Sequence, residues 1–225
     1  MQPWEELARS TTPDGTDMTL CRRGREYFIL TDGRDLMTSR QHGSEEALAR
    51  LGCERAVRLE EPCVLVGGLG MGFTLRATLD VLPASATVVV SELLPVVVEW
   101  NRGPLGPLAE KPLDDPRVKL ELGDLADCLR RSPGRFDALL LDVDNGPRAC
   151  AQAGNARLYD NEGVETARSA LKPCGILAVW SAWDDAKFER RLRHFGFEAE
   201  SRRVRARLKK GGARHTLFLG RLPCA

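Results

Sequence analysis

The sequence predicts an α/β protein with a mostly parallel sheet that opens on a nucleotide-binding βαβ unit. Three observations support this fold class: a glycine-rich turn after a short apolar run, a β-branched run ending at Glu92, and an apolar run ending at Asp142. Ligands of open α/β sheets bind beyond the carboxyl ends of the strands. These three strand ends are therefore expected to meet at one site.

The first strand, residues 64–66, leads into three glycines spaced G-x-G-x-G, which are Gly68, Gly70 and Gly72. A helical pattern of leucines begins at about Thr74. Glycines let the backbone turn sharply and let a ligand approach where a Cβ would collide. A tight turn with no ligand would give the same local pattern.

The next strand, residues 87–91, ends at Glu92, twenty residues after Gly72. A carboxylate in this position can accept hydrogen bonds from the hydroxyls of a ribose. The alternative is a solvated acid at a strand end. Because a dinucleotide site needs G-x-G-x-x-G, the G-x-G-x-G spacing predicts an S-adenosylmethionine (SAM) site instead.

Two later strands also end in acids. Residues 118–122 precede Gly123 and Asp124, and residues 138–141 form an uninterrupted apolar run before Asp142, as expected for a central strand buried on both faces. Asp124 alternatively caps a helix over residues 125–131. Asp142 is placed for chemistry, although an Asp that caps loop amides would look the same.

The chain before the glycine turn reads as a small β element. Residues 1–17 are expected to form a lead-in without regular structure, followed by strands over 18–22, 26–30 and 34–38, with a hairpin turn at Asp32 and Gly33. Ser44 is expected to cap a helix that ends at about Leu51. The predicted division is a β element over 1–43 and a SAM-binding domain over 44–225.

The chain after the second strand alternates between helices and strands. Helices are expected at 95–101, 160–171 and 184–195, a strand at 176–180, and a terminal hairpin over 198–208 and 215–219. This hairpin should add an antiparallel pair at one edge of the sheet.

Composition excludes several classes of protein. The 225 residues are 43% hydrophobic with a net charge of +1, so the chain is neither disordered nor uniformly basic. There is no signal-like or membrane-spanning apolar run. The seven cysteines include no C-x-x-C pair, which predicts reduced thiols, no metal site and a cytoplasmic protein.

One segment is strongly basic. Residues 187–221 hold twelve Lys and Arg against three Glu, a net charge of +9. This asymmetry would suit an RNA methyltransferase. Because no aromatic residue lies within 202–214, a solvated hairpin face is favoured and nucleic acid is not the expected partner.

The motifs together resemble the spermidine synthase family, a branch of the class I SAM-dependent methyltransferase fold. The resemblance covers about residues 18–182 and rests on residues 64–76, 92–95, 115–118, 123–124 and on Asp142. It implies a Rossmann-like, seven-stranded sheet with an antiparallel last strand. It also implies transfer of an aminopropyl group from decarboxylated SAM to putrescine, with Asp142 deprotonating or orienting the attacking amine and Asp124 receiving the adenine amino group.

The resemblance and the strand ends yield three candidate sets of residues. The catalytic candidates are Asp142 and Asp144. The cofactor-binding candidates are Gly68, Gly70, Met71, Gly72, Glu92, Leu93, Gly123, Asp124 and Leu125. The substrate candidates are His42, Glu45, Asn145, Tyr159 and Trp180. No metal is expected, the partner is a small amine, and a homodimer is left open. His42 alternatively lies in a surface turn, and Tyr159 and Trp180 alternatively pack in the core.

The chain departs from the family at the polyamine contacts. Met71 replaces an acid that would repel the carboxylate of SAM, and Asn145 replaces the second acid of the site. Leu36 replaces a glutamine, while Glu45 and Glu46 stand where the family has a Tyr-His pair. SAM itself is then no longer excluded. A non-catalytic, nucleoside-binding or scaffold role is therefore a second hypothesis.

Overall fold

A computed structural model of the chain describes residues 2–12, 15–143, 146–147, 153–207 and 212–224. The described strands form two sheets, one of four strands and one of seven. The tip of the predicted terminal hairpin, at 208–211, lies outside the described residues.

The four-stranded sheet is an antiparallel meander of β1 (Glu5–Thr11), β2 (Asp17–Arg23), β3 (Glu26–Thr31) and β4 (Arg34–Thr38). The turn between β3 and β4 has positive φ at both Asp32 and Gly33, as the predicted two-residue hairpin requires.

The expectation of an irregular lead-in over residues 1–17 was wrong. Residues of β1 pair with β2 from Glu5↔Arg22 to Thr11↔Asp17. This strand lacks an apolar face of its own, so its order depends on pairing with β2, which no local pattern shows. The ring of Trp4 packs edge-on against Phe28 at 4.5 Å and helps to fix the start of the strand.

Helix α1 (Gly43–Gly52) joins the two sheets. The prediction that Ser44 caps it was wrong, because the N-cap residue is His42 and its side chain makes no capping bond. Ser44 is fully buried inside the first turn. Its hydroxyl instead bonds to Glu45 and to His215, which lies 171 residues away in sequence.

The large sheet has the strand order β10-β11-β9-β8-β5-β6-β7. Its strands are β5 (Cys63–Gly67), β6 (Thr87–Glu92), β7 (Val118–Leu122), β8 (Phe136–Leu141), β9 (Leu171–Ser181), β10 (Glu198–Arg205) and β11 (Arg214–Arg221). Strand β11 runs antiparallel to both of its neighbours, and the remaining neighbours pair in parallel. The predicted fold class is confirmed.

Helices cover both faces of this sheet. They are α2 (Phe73–Val81), α3 (Pro95–Arg102), α4 (Leu125–Arg130), α5 (Asn161–Ala170) and α6 (Ala186–His194). Alternate residues of the central strands enter two separate cores: Val66 and Leu140 pack with helices α1 to α3, while Leu65 and Leu139 pack with helices α4 to α6. Burial on both faces explains the uninterrupted apolar run of β8.

The expectation that all cysteines are reduced was also wrong. Cys174 and Cys224 form a disulfide. The pairing of β11 with β9 explains why the two cysteines are close. Because Arg221 lies opposite Ile176 in this antiparallel pair, the residues that follow Arg221 pass beside Cys174. Cys21, Cys53, Cys63 and Cys128 are free thiols.

The basic C-terminal segment is partly neutralised within the fold. Arg193 pairs with Glu189 and Arg203 with Asp184, while Arg221 contacts both Glu54 and Glu200 at 2.5 and 2.7 Å. These ion pairs favour a solvated surface over a nucleic-acid interface. None of the described helices combines the length and apolar character needed to cross a membrane.

Arg117 ties the start of β7 to the end of α2. Its guanidinium contacts Asp115 at 2.7 Å and donates to the carbonyls of Leu79 and Leu82 at 2.9 and 3.1 Å. The hydrogen bond from Arg117 lowers the pKa of Asp115 to about 2. These contacts of Asp115 and Arg117 give the 115–118 motif a structural role.

Replacing this guanidinium is expected to destabilise the protein. Arg117→Met should lower the free energy of unfolding by about 2–3 kcal/mol, since a partly buried acid and several carbonyls lose their donor. Asp115 has a lowered pKa in the folded state, so its contribution is present above its unfolded pKa of about 4 and is lost as pH falls towards 2. Denaturant unfolding at pH 7, 4 and 2.5 should show the variant's deficit shrinking at low pH.

The matched control is Arg130→Met, which removes an exposed ion pair with Asp127. It should change stability by less than about 0.5 kcal/mol. Equal losses in the two variants would show that the Arg117 clamp does not stabilise the fold.

Candidate functional site

The glycine turn lies directly against the end of β8. Gly68, Gly70 and Gly72 all have positive φ, at 88°, 51° and 84°. A Cβ on Gly68 would lie only 2.4 Å from the backbone oxygen of Asp142. The amide of Asp142 also donates to the carbonyl of Gly67 at 2.9 Å. The turn and Asp142 are thus held together through backbone atoms.

Asn101 in α3 fixes the turn from the other side. Its side-chain amide donates to the carbonyl of Gly70 at 2.8 Å and to the carbonyl of Val97 at 2.9 Å. The side chain is 1% exposed. Sequence reasoning missed this residue, although an amide among the buried positions of an apolar helix is a usable signal.

Glu92 organises the turn as well as facing the first cavity. One of its carboxylate oxygens accepts from the amide of Leu69 and the other from the amide of Leu94, both at 2.9 Å. Burial raises the pKa of Glu92, and these amides act against that increase.

The first cavity has a volume of about 130 Å³ and lies beyond the ends of β5, β6 and β7. Seven of the nine predicted cofactor residues line it, namely Gly68, Gly70, Glu92, Leu93, Gly123, Asp124 and Leu125. Its remaining wall comes partly from the small sheet, through Met18, Ile29, Leu36 and Met37. Sequence reasoning did not connect this sheet to the cofactor site.

Asp124 both caps α4 and faces the cavity. Its Oδ1 accepts from the amide of Ala126 at 2.8 Å, and its Oδ2 contacts Arg157 at 2.5 Å. Burial alone would raise the pKa of Asp124, but the hydrogen bonds from Arg157 and the amides outweigh burial and lower it. The two alternatives for this residue are therefore compatible with one another.

A second, larger cavity of about 390 Å³ adjoins the first. The two cavities share Leu36, Met37, Gly70 and Asp142. The second cavity is also lined by Glu45, Met71, Thr74, Trp180 and His215. Among the described residues, Asp142 is the one ionisable side chain that borders both cavities.

Thr74 in the first turn of α2 holds the Asp142 carboxylate. Its hydroxyl donates to Oδ2 of Asp142 at 2.5 Å. Burial raises the pKa of Asp142, and the Thr74 hydrogen bond acts against that increase. Oδ1 of Asp142 has no hydrogen-bond partner among the described residues. Thr74 was missed as a site residue because the sequence marks it only as the beginning of a helix.

The lining of both cavities is acidic. Burial and the nearby charge of Asp142 raise the pKa of Glu45, in the pattern of two carboxylates that share one site. Asp35 also borders the second cavity. The described lining residues include neither Lys nor Arg. A cationic ligand would therefore be stabilised here, and an additional carboxylate would be repelled.

Three substrate candidates, Trp180, Tyr159 and His42, lie in different surroundings. Trp180 lines the second cavity, and its indole N–H has no hydrogen-bond partner among the described residues. Tyr159 packs in the core and donates to the carbonyl of Val143 at 3.1 Å, so it supports the backbone beside Asp142. His42 contacts Glu46 at 2.8 Å and stacks on Phe73, outside the lining of both cavities.

Four predicted residues remain, namely Met71, Gly72, Asp144 and Asn145. Met71 borders the second cavity, and Gly72 shapes the turn without lining either space. Asp144 and Asn145 lie outside the described residues. Within the described part of the chain, His, Cys, Asp and Glu side chains form no cluster of three or more that could hold a metal ion.

Comparison with known proteins agrees with this geometry. No protein-family model matches the sequence. Polyamine aminopropyltransferase 2 of Pseudomonas aeruginosa is 37% identical over 120 residues, which are 52% of this chain and 32% of that protein. The polyamine aminopropyltransferase of Leptospira biflexa is 31% identical over 157 residues, 69% of this chain and 52% of that protein.

A Mycobacterium tuberculosis polyamine aminopropyltransferase is 29% identical over 167 residues, 72% of this chain and 30% of that protein. The chain thus spans about a third of the length of the Pseudomonas and Mycobacterium relatives.

Two solved structures share the fold over 98% of this chain. A spermidine synthase in complex with the transition-state analogue AdoDATO has a TM-score of 0.76 and 17% identity, with 73% of its own chain covered. The spermidine synthase of Thermotoga maritima has a TM-score of 0.75, the same identity and the same coverage. The fold and the strand-end site define a Rossmann-like protein of the class I methyltransferase type. Within that class the chain is spermidine synthase-like, as the sequence motifs predicted.

Glu92→Gln tests the adenosine end of the site. A glutamine supplies one acceptor oxygen, and its NH₂ group would face a backbone N–H. Affinity for methylthioadenosine should therefore fall about 10- to 100-fold, or roughly 1.5–3 kcal/mol. Titration calorimetry measures this change, with circular dichroism to confirm folding.

Glu99→Gln is the matched control, because Glu99 is exposed on α3. Its dissociation constant should equal that of the unmodified protein. An unchanged constant in folded Glu92→Gln would remove Glu92 from the ligand site.

Proposed function

We propose that this protein transfers the aminopropyl group of decarboxylated SAM to a small amine. The observation that carries the proposal is the position of Asp142, whose carboxylate borders both the strand-end cavity and the acidic second cavity. The names of the relatives, polyamine aminopropyltransferases, support the same chemistry.

The donor would occupy the first cavity. Glu92 would accept from the ribose hydroxyls, Asp124 would receive the adenine amino group, and Gly68 and Gly70 would allow the nucleoside to approach the backbone. The sulfonium then faces Asp142 and the second cavity. Because the sulfonium already activates the adjacent carbon, the protein contributes mainly positioning and proton acceptance.

The acceptor amine would enter the second cavity as a cation. Glu45, Asp35 and Asp142 would attract it, and Oδ1 of Asp142 would orient the nitrogen while Thr74 holds Oδ2. In the reaction the amine lone pair forms a C–N bond, the C–S bond breaks, and its electron pair stays on sulfur. The amine must lose a proton before it attacks.

The domain division at residue 43 is part of the proposal. Leu36 and Met37 of β4 border both cavities, so the element over 1–43 would close a site built by the domain over 44–225. We also place the protein in the cytoplasm, where its polyamine and SAM-derived substrates would be met.

Asp142→Asn keeps the shape of the side chain and removes its charge. Turnover should fall about 10²- to 10⁴-fold, the range for a positioned acid or base. The loss should appear in kcat more than in donor affinity, because the contact tightens as the amine attacks. Steady-state assays with decarboxylated SAM and putrescine measure it. Full activity in Asp142→Asn would leave the acid without a catalytic role.

Thr74→Val gives an independent readout of the same carboxylate. Since the Thr74 hydroxyl lowers the pKa of Asp142, its removal should raise that pKa and move the acidic limb of the kcat profile to higher pH. Thr166→Val, which removes a hydroxyl bonded only to the carbonyl of Glu162 on exposed α5, serves as the control. An unshifted acidic limb in Thr74→Val would show that Asp142 does not control it.

Methyl transfer from SAM is the second candidate function, and Met71 favours it. This buried, apolar side chain replaces an acid at the position where the family contacts the amino-acid tail of the donor. Met71→Asp should therefore reduce SAM affinity at least 10-fold while leaving or improving that of decarboxylated SAM. Calorimetry with both donors checks this ratio. An unchanged preference would show that position 71 does not face the tail.

The non-catalytic hypothesis makes a distinct prediction in the same assays. It predicts methylthioadenosine binding without product formation from either donor. The RNA hypothesis predicts affinity for RNA that falls steeply with salt.

A further inference from the structure

Ser44, Glu45 and His215 form a hydrogen-bonded chain in the wall of the second cavity. The Ser44 hydroxyl donates to Oε2 of Glu45 at 2.6 Å and lies 2.9 Å from Nδ1 of His215. Glu45 and His215 both line the cavity, whereas Ser44 is fully buried behind them. The chain joins α1 to β11, two elements that are distant in sequence.

An ionised Glu45 would set the tautomer of His215 through these bonds. A hydroxyl has one proton, and when Ser44 donates it to an ionised Glu45, Nδ1 of His215 must carry the proton shared with Ser44. Nε2 then holds a lone pair. It has no hydrogen-bond partner among the described residues, and its ring borders the cavity. A bound cationic amine favours this arrangement because it stabilises the ionised forms of Glu45 and Asp142.

We propose that Nε2 of His215 accepts the proton that the acceptor ammonium loses before attack, and that Ser44 relays a proton from Nδ1 to Glu45. This inference rests on the proposed aminopropyl transfer, for which it adds a catalytic residue on β11. Asp142 then orients the nitrogen, and His215 with Glu45 receives its proton.

The proton balance is complete within the cavity. The ammonium gives one proton to Nε2 and becomes a neutral amine, Nδ1 passes one proton to the Ser44 oxygen, and Ser44 passes its own to Glu45. His215 ends neutral with the proton on Nε2, and Glu45 ends protonated. The amine then displaces the thioether from the sulfonium, and the product is an ammonium that keeps its two protons.

The surroundings of His215 suit proton acceptance. Burial lowers the pKa of His215, so the ring is neutral near pH 7. The titratable groups that border the same cavity are Asp35 on β4, Glu45 on α1 and Asp142 after β8, all of them acids. Trp180 packs edge-on against the ring with centroids 4.5 Å apart and holds it in place.

The test compares His215→Gln and Ser44→Ala with His194→Gln, the same substitution at an exposed position on α6. At pH 7, kcat with decarboxylated SAM and putrescine should fall about 10²-fold in His215→Gln, the lower end of the range for a general base. Methylthioadenosine affinity should stay unchanged. The deficit should shrink above about pH 10, where a primary amine loses its proton to solvent; a purely structural defect would persist at all pH values.

Ser44→Ala should show the same pattern with a smaller loss, because Nε2 remains but the relay is broken. Full activity of His215→Gln at pH 7, in a wild-type background that is active, would overturn the relay and leave the proposed function standing.

If the unmodified protein transfers nothing from either donor, the proposed function fails, and nitrogen NMR still decides the geometry of the relay. The protein has only three histidines. With methylthioadenosine and putrescine bound, His215 should be the neutral Nδ1–H tautomer and should lose that preference in Ser44→Ala. An Nε2–H tautomer in the complex would refute the relay.

Discussion

The close approach of the glycine turn to the end of β8 is the constraint on which the site depends. Gly67 accepts from the amide of Asp142, and Gly68 leaves no room for a Cβ beside the carbonyl of the same residue. Backbone contacts of this kind cannot adjust by side-chain rotation. They set the edge of the first cavity directly against Asp142, and Glu92 and Asn101 then hold the turn through its Leu69 amide and its Gly70 carbonyl.

The electrostatic character of the site follows from the charged side chains that line its two cavities. Five acids border the two cavities, and the described lining residues include neither Lys nor Arg. In a space screened from water such carboxylates resist ionisation together. A sulfonium and an ammonium would satisfy them, whereas the carboxylate of SAM would add a further negative charge. The acidic lining supports the proposed decarboxylated donor, while Met71 supports the alternative donor, SAM.

Three of the differences from the spermidine synthase pattern, at Leu36, Glu45 and Met71, border the second cavity. The glycine turn, Glu92 and Asp142 follow the family pattern. His215 of β11 borders the same cavity as Glu45. In the proposed reaction, the acidic side chains and the imidazole of this chain would bind the acceptor amine and take its proton, as other residues do in the family.

The sequence by itself determined the order of strands, turns and helices in the large domain, because each of those features depends on neighbours within a few residues. The apolar run of β8, the G-x-G-x-G turn and the position of Glu92 are local patterns. Two local expectations were wrong because a partner outside the local segment decided the structure. Strand β1 is ordered by pairing with β2, and the Ser44 hydroxyl bonds to His215 instead of capping α1.

Only the tertiary structure decided which side chains share a cavity. The contacts between Ser44 and His215, between Thr74 and Asp142, and between Cys174 and Cys224 join residues 171, 68 and 50 positions apart. The residue pattern of a single segment does not predict such pairs, because they arise when strands from different parts of the chain are hydrogen-bonded side by side. The sequence therefore fixes where each strand ends, and the pairing of the strands fixes which of those ends meet.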